Sequence, residues 1–147
     1  MKKLLLFFLV TPTLLLSQIT QKDIDYTDFV RQKFRDHAAS FSKLSTFETD
    51  LDKQAAYYYS IMANNAFLHT DYLNVLFSLT TLLKDKRDKK GLTAMIKKRL
   101  EQVLENLDKN LKTLPDIKSN ILADQASLFE ADLLALKIRL EALHDRL

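Results

Sequence analysis

Apolar residues recur along most of this chain at alternating steps of three and four. A first run sets Thr27, Val30, Phe34, His37, Phe41 and Leu44 in one phase. A second carries Leu51, Ala55, Tyr58, Met62, Asn65, His69, Tyr72, Leu76, Leu79 and Leu83. With about 3.6 residues per turn, such spacing gathers side chains on one side of an α-helix. Glu48 bridges the two runs in phase, which would allow one continuous helix. Against that, Ser45/Glu48 and Thr49/Asp52 both have the small-polar-then-acid form of a helix start. Two helices with a break at 45–50 are the preferred reading.

The polar stretch Lys84–Gly91 (KDKRDKKG) predicts a connector, with Gly91 in the left-handed conformation that ends a helix. Leu92, Ile96, Leu100, Val103, Leu107, Leu111 and Leu114 then predict a third helix, which Leu104 widens. Pro115 follows at once and is expected to open the next helix, because proline suits a first turn and breaks an interior one. The last run, Leu122, Ala126, Phe129, Leu133, Leu136, Leu140, Leu143 and Leu147, is flanked by Ile121, Leu128, Leu134 and Ile138. A stripe that broad predicts a helix packed against two neighbours.

Short connectors between such helices make neighbours antiparallel. The fold class expected is therefore all-α, an up-and-down bundle of three or four helices forming a single domain over 18–147. The second helix, if unbroken to Leu83, would reach about 50 Å and resemble an overlong coiled-coil arm.

The first seventeen residues stand apart. Lys2 and Lys3 precede thirteen uncharged residues, Leu4 to Leu16, and small Ser17 precedes polar Gln18. This is the shape of a secretory signal peptide over 1–17; a membrane span needs about 20 apolar residues, and Pro12 interrupts these. The reading implies an exported chain, periplasmic or secreted.

Composition sharpens the picture. One glycine and two prolines leave little for tight-turned sheets or phosphate-cradling loops. The absence of cysteine removes disulfides, thiolate zinc sites and lipid attachment through an N-terminal cysteine. Without 1–17 the chain holds 20 basic and 19 acidic residues, so it is nearly neutral.

The charge is nevertheless uneven. Lys84, Lys86, Arg87, Lys89, Lys90, Lys97, Lys98 and Arg99 share their sixteen-residue stretch with two acids, whereas the remainder after residue 17 carries twelve basic and seventeen acidic residues. Such a stretch at a hairpin tip suits an anionic membrane or envelope surface, or an acidic partner; a solvated connector is the plainer account. No aromatics are interleaved with these charges, which argues against nucleic acid.

Tyr57, Tyr58 and Tyr59 are consecutive. At about 100° per residue they spread over roughly 200° of a helix, more than one helical neighbour covers. Exposed tyrosine commonly anchors a protein interface.

Chemical signals are weak. His37 and His69 lie in the apolar phase as core histidines would, Glu141 and His144 make one Glu-x-x-His pair where a di-iron bundle needs two, and Glu101 and Glu105 sit among lysines. No cofactor, metal site or catalytic group is expected. The function expected is that of an exported helical binding or assembly protein, an adaptor, chaperone-like or secretion accessory subunit with a protein partner. Two alternatives stay open: a small-cofactor-binding or enzymatic bundle, and a self-associating component that polymerises or anchors. The processing reading has a direct check: N-terminal sequencing of the exported protein should begin near Gln18, and recovery of Met1 would reject it.

Overall fold

The structure is a computed structural model that describes residues 20–44, 49–68, 75, 77–81, 89–117, 119–120 and 122–147. Residues 1–17, the Ser45/Glu48 pair, His69, Tyr72, Leu76, Leu83, Lys84, Lys86, Arg87 and Ile121 lie outside the described residues, as do the side chains of Thr27 and Lys89. Among the described residues four long helices make the frame: α1 (Gln21–Lys43), α2 (Asp50–Leu68), α3 (Lys89–Thr113) and α4 (Ala123–Arg146). The chain is also helical at 77–81, so much of the second expected run is helix.

Side-chain pairs fix the directions. Phe41 of α1 stacks on Tyr59 of α2 at 5.0 Å between centroids, and the hydroxyls of Ser42 and Ser60 lie 3.0 Å apart. The Asn110 side-chain amide donates to the Met62 carbonyl at 3.5 Å, tying α3 to α2. Lys137 donates to Asp108 at 2.6 Å, and His144 lies 3.3 Å from Glu101, joining α4 to α3. Lys33 donates to Asp132 at 2.6 Å and Arg146 to Asp23 at 2.8 Å, which closes α4 onto α1. One residue number rises as the other falls from Lys137–Asp108 to His144–Glu101 and from Lys33–Asp132 to Arg146–Asp23. Ser60 reaches back to the Ala38 carbonyl while Tyr59 meets Phe41, and Asp52–Ser119 with Met62–Asn110 gives α2 the same sense against α3. The helices therefore run up, down, up and down around one core, as expected for an antiparallel bundle.

Local chemistry sets the helix ends. The Thr20 N–H donates to the Asp23 carboxylate at 2.8 Å across the start of α1. The Thr49/Asp52 pair starts α2 as its sequence form implies: the Thr49 hydroxyl donates to the Asp52 carboxylate and accepts the Asp52 N–H at 3.2 Å. The break between α1 and α2 thus falls where two helix-start signals coincide.

Two expectations at helix ends are corrected. Gly91 does not cap a helix: α3 begins at Lys89, Gly91 lies in its first turn, and no positive-φ residue occurs among the described residues. Glycine takes helical dihedrals as well as left-handed ones, and its missing side chain matters least in a first turn whose N–H groups have no partner within the helix. Pro115 does not open α4. It sits in a 3₁₀ turn, Leu114–Ile117, that continues from α3, and α4 starts only at Ala123. The proline ring crowds the preceding turn and its nitrogen cannot donate, so the chain tightens and stops there.

The core agrees with the expected stripes in three helices. Val30, Phe34 and Phe41 of α1, Ile96, Leu100, Val103 and Leu107 of α3, and Ala126, Phe129, Leu133, Leu136, Leu140 and Leu143 of α4 are all buried. Val75, Leu79, Leu114 and Leu122 join the same cluster.

The phase of α2 is a correction. Leu51, Tyr58 and Asn65, expected inside, are exposed, while Asp52, Ala56, Tyr59, Ala63 and Ala66 are buried with Ala55 and Met62. The helix is turned by most of one residue step, because the small alanines allow α1 to approach and one large ring, Tyr59, fills the space between them. The flank of α4 is a second correction. Leu128, Leu134 and Ile138 do not widen its buried stripe but face outward.

Leu136 is only 1% exposed at the middle of α4. Leu136→Ala should therefore cost roughly 2–5 kcal/mol in urea unfolding, the range for a buried leucine.

Candidate functional site

The arrangement that stands out begins with α2 and the direction of its three tyrosines. Tyr59 is fully buried, stacked on Phe41 with its ring edge-on to Phe129 at 6.3 Å. Successive side chains on a helix diverge by about 100°, so an inward Tyr59 sends Tyr58 and Tyr57 outward. They are 52% and 66% exposed, with rings 6.2 Å apart in an edge-to-face pair. Leu51 and Ile61 add exposed apolar surface along the same helix.

Each exposed tyrosine borders a hollow. Tyr57 lines one of about 250 Å³ with Phe41, Ser42, Lys53, Ala56 and Ser60, in the groove between α1 and α2. Tyr58 lines one of about 180 Å³ with Leu51, Gln54, Asp116, Ile117 and Ser119, between α2 and the 3₁₀ turn. The outer surface of α2 is thus an aromatic ridge between two shallow depressions, the first flanked by Lys53 and the second by Asp116.

Polar contacts hold this ridge in place. Asp52 is buried beneath the start of α2 and accepts the hydroxyls of Ser119 and Thr49. The Ser119 bond first, and the Thr49 bond after it, keep the Asp52 carboxyl below its usual range against the opposing effect of burial. Ser119 belongs to the segment between the 3₁₀ turn and α4, so this contact ties the first turn of α2 to the far end of α3. Deeper in, the Tyr59 hydroxyl is the one buried side-chain polar atom without a hydrogen-bond partner among the described residues. Burial, and then the charge of Glu130, push its phenol upward in pKa.

A second polar group lies across the core from the ridge. His37 sits among Phe34, Phe41 and Phe129, at 5.3 Å between its ring centroid and that of Phe129. Its Nε2 lies 2.7 Å from Asp132, which also receives Lys33. Burial acts to raise the Asp132 carboxyl, but hydrogen bonds from Lys33 and His37, and their charges, outweigh it and hold the group below its usual range. His37 is thus a core histidine with a carboxylate partner. His144 faces Glu101, and Glu141 lies 3.7 Å from Lys137, while Glu105 pairs with Lys109 at 2.9 Å. No group of three or more His, Asp or Glu side chains is placed to hold a metal ion among the described residues.

The basic residues that are described do not share one face. Lys90 and Lys98 are exposed, whereas Lys97 and Arg99 are half-buried. Residues 97, 98 and 99 point in three directions about a helix that begins at Lys89.

Of the residues singled out from sequence, Tyr57 and Tyr58 come together on one surface and Tyr59 serves as its inner anchor. Sequence reasoning missed Asp116, Ser119 and Lys53. The Thr49/Asp52 helix-start pair was the one signal near them, and it gave no hint of the long-range bond to Ser119.

No family model, curated protein or solved structure matches this chain. No helix among the described residues is long and apolar enough to cross a membrane.

The Asp132 group makes a pH prediction. Its folded-state pKa is lowered, so its contribution to stability is present above the ordinary carboxylate range near pH 4 and is lost as pH falls through the folded value. Asp132→Asn should cost roughly 1–3 kcal/mol at neutral pH by removing the negative charge and one of the two oxygens that face Lys33 and His37. Urea unfolding of both proteins across pH 2–7 should show that difference shrinking as the solution becomes acid.

Proposed function

We propose that this protein is an exported helical binding or assembly protein, and that it engages a partner protein through the outer surface of α2. One observation carries the reading: two adjacent tyrosines, 66% and 52% exposed, stand on a helix whose other side is fixed in the core. A tyrosine ring buries a large area on contact while its hydroxyl can still find a partner, and it loses little side-chain freedom in doing so. Tyr57 and Tyr58 would be the anchors, and the two hollows beside them would receive side chains from the partner. Lys53 and Asp116 at the two edges offer charges of opposite sign, which favours one docking orientation over its reverse.

Export rests on the pattern of residues 1–17. Contact with an anionic surface through residues 84–99 would be auxiliary, bringing the protein to the place where the partner is found. A bundle of this kind, fixed by its core and decorated on one helix, suits an adaptor or a chaperone-like accessory subunit.

The test compares three proteins in pull-downs from envelope extract: wild type, Tyr57→Ala with Tyr58→Ala, and Tyr59→Phe. The double variant should lose retention of the partner by tenfold or more, since an aromatic anchor is commonly worth about 2 kcal/mol or more. Tyr59→Phe changes only the interior and should retain the partner as wild type does. Equal retention by all three would reject the α2 surface.

A further inference from the structure

The outer face of α4 carries a second pattern, independent of the α2 reading. Steps of three and four set Leu128, Ala131, Ala135, Ile138 and Ala142 in one line, and all five are exposed. Leu128 is 58% exposed and Ile138 66%, and Leu134, 45% exposed, flanks the line. The buried face of α4 has its own seam, from Ala126 to Leu143, so this helix carries two apolar seams and the bundle covers one. The line from Leu128 to Ala142 is about 21 Å long.

We propose that the occupant of this face is the same face of a second copy, packed antiparallel. The order of side-chain sizes is self-complementary only in that direction. A two-fold axis at Ala135 puts Ala135 against its own copy, Leu128 level with Ala142 of the second copy, and Ala131 within one residue step, about 1.5 Å, of Ile138 of the second copy. Large side chains then meet small ones in the outer layers, and the central layer is small on both sides. Alanines in every layer let the axes approach to about 8 Å. A parallel pair would instead set Leu128 against Leu128 and Ile138 against Ile138, leaving the alanine layers unfilled.

Charge selects the same direction. Residues 123–132 hold three acids (Asp124, Glu130, Asp132) and no base, whereas 133–146 hold Lys137, Arg139 and Arg146 against Glu141 and Asp145. Asp132, Lys137 and Arg146 are engaged by Lys33, Asp108 and Asp23 of the bundle. What an antiparallel copy adds is therefore the approach of the acid-rich half of each helix to the half that carries exposed Arg139, with the two helix dipoles opposed. Phe29, exposed on α1 with Lys33 5.8 Å from its ring, adds apolar area at the edge of the patch, because Lys33 reaches Asp132 on the flank of α4. A seam this short buries less than the roughly 1,200 Å² of a standard stable interface. The dimer should therefore form and dissociate with concentration.

The test uses the lack of cysteine in the chain. In the purified protein, Ala135→Cys should give a covalent dimer under mild oxidation, since both sulfurs lie at the axis, within the about 4 Å between Cβ atoms that a disulfide needs. Leu128→Cys alone should stay monomeric, because its counterpart lies about 21 Å away along the seam. A mixture of Leu128→Cys and Ala142→Cys chains should yield the mixed dimer. Sedimentation equilibrium on the cysteine-free protein should show mass rising towards twice that of the chain. Ile138→Glu should weaken the association roughly a hundredfold or more through like-charge crowding and a buried carboxylate. Its far-ultraviolet spectrum should be unchanged, since the side chain is exposed. A monomer at every concentration, or association that Ile138→Glu leaves intact, would overturn the proposal. Ready cross-linking of Leu128→Cys alone would overturn the antiparallel arrangement.

Discussion

The ring of Tyr59 lies where α1, α2 and α4 converge, stacked on Phe41 and edge-on to Phe129. Phe34 and His37 complete this cluster from α1, each within 6 Å of the Phe129 ring centroid. The rotation of α2 about its own axis depends on the contact. With Tyr59 inside, the four alanines of α2 turn toward the core, Asp52 comes under the first turn, and Tyr57 and Tyr58 face outward. An aromatic pair contributes about 0.5–1.5 kcal/mol beyond the area it buries, and here several pairs share one ring. The hydroxyl of Tyr59 works against this, since a buried group without a partner costs about 1–3 kcal/mol. Ring packing prevails over that loss.

How much of this could be read from the residues alone differs from helix to helix. In α1, α3 and α4 the contrast between Phe, Leu, Ile or Val and the charged residues between them is strong, and the buried faces lie on the expected phases. In α2 the contrast is weak. Alanine adds little to a hydrophobic pattern, and three adjacent tyrosines are alike by composition, so local periodicity selected Leu51 and Tyr58 as interior. The decision is made instead by rings contributed from α1 and from α4, which sequence spacing does not encode. Polar partners show the same limit. His37 is recognisable as a core histidine from its phase, but its carboxylate, Asp132, lies 95 positions away. The bond from Ser119 to Asp52 spans 67 positions and is equally invisible locally. Broad apolar width in α4 was legible, whereas its division into a buried seam and an outer one required the neighbours to be placed.

The molecule thus separates two uses of apolar surface. Its interior is continuous across the four long helices and includes Val75 and Leu79 between α2 and α3. Outside, most of the exposed large apolar residues stand on α2 and α4, with Phe29, Phe77 and Met95 elsewhere. Grouped exposure on helices already anchored by their opposite sides is what a recognition surface requires, because the ridge does not have to be ordered when a partner arrives.

The contacts that join α1 to α4 have a consequence for the order in which the molecule assembles. Lys33 and Asp132 are 99 positions apart, and Asp23 and Arg146 are 123 apart, whereas Ser42 and Ser60, which join α1 to α2, are separated by 18. Closing a long loop costs more chain entropy than closing a short one, and distant contacts return nothing until that cost has been met. The α1–α2 and α3–α4 hairpins can therefore form early as local units. The seam between the first helix and the last forms late, and slow amide exchange along α1 would mark the moment at which the two hairpins become one cooperative structure.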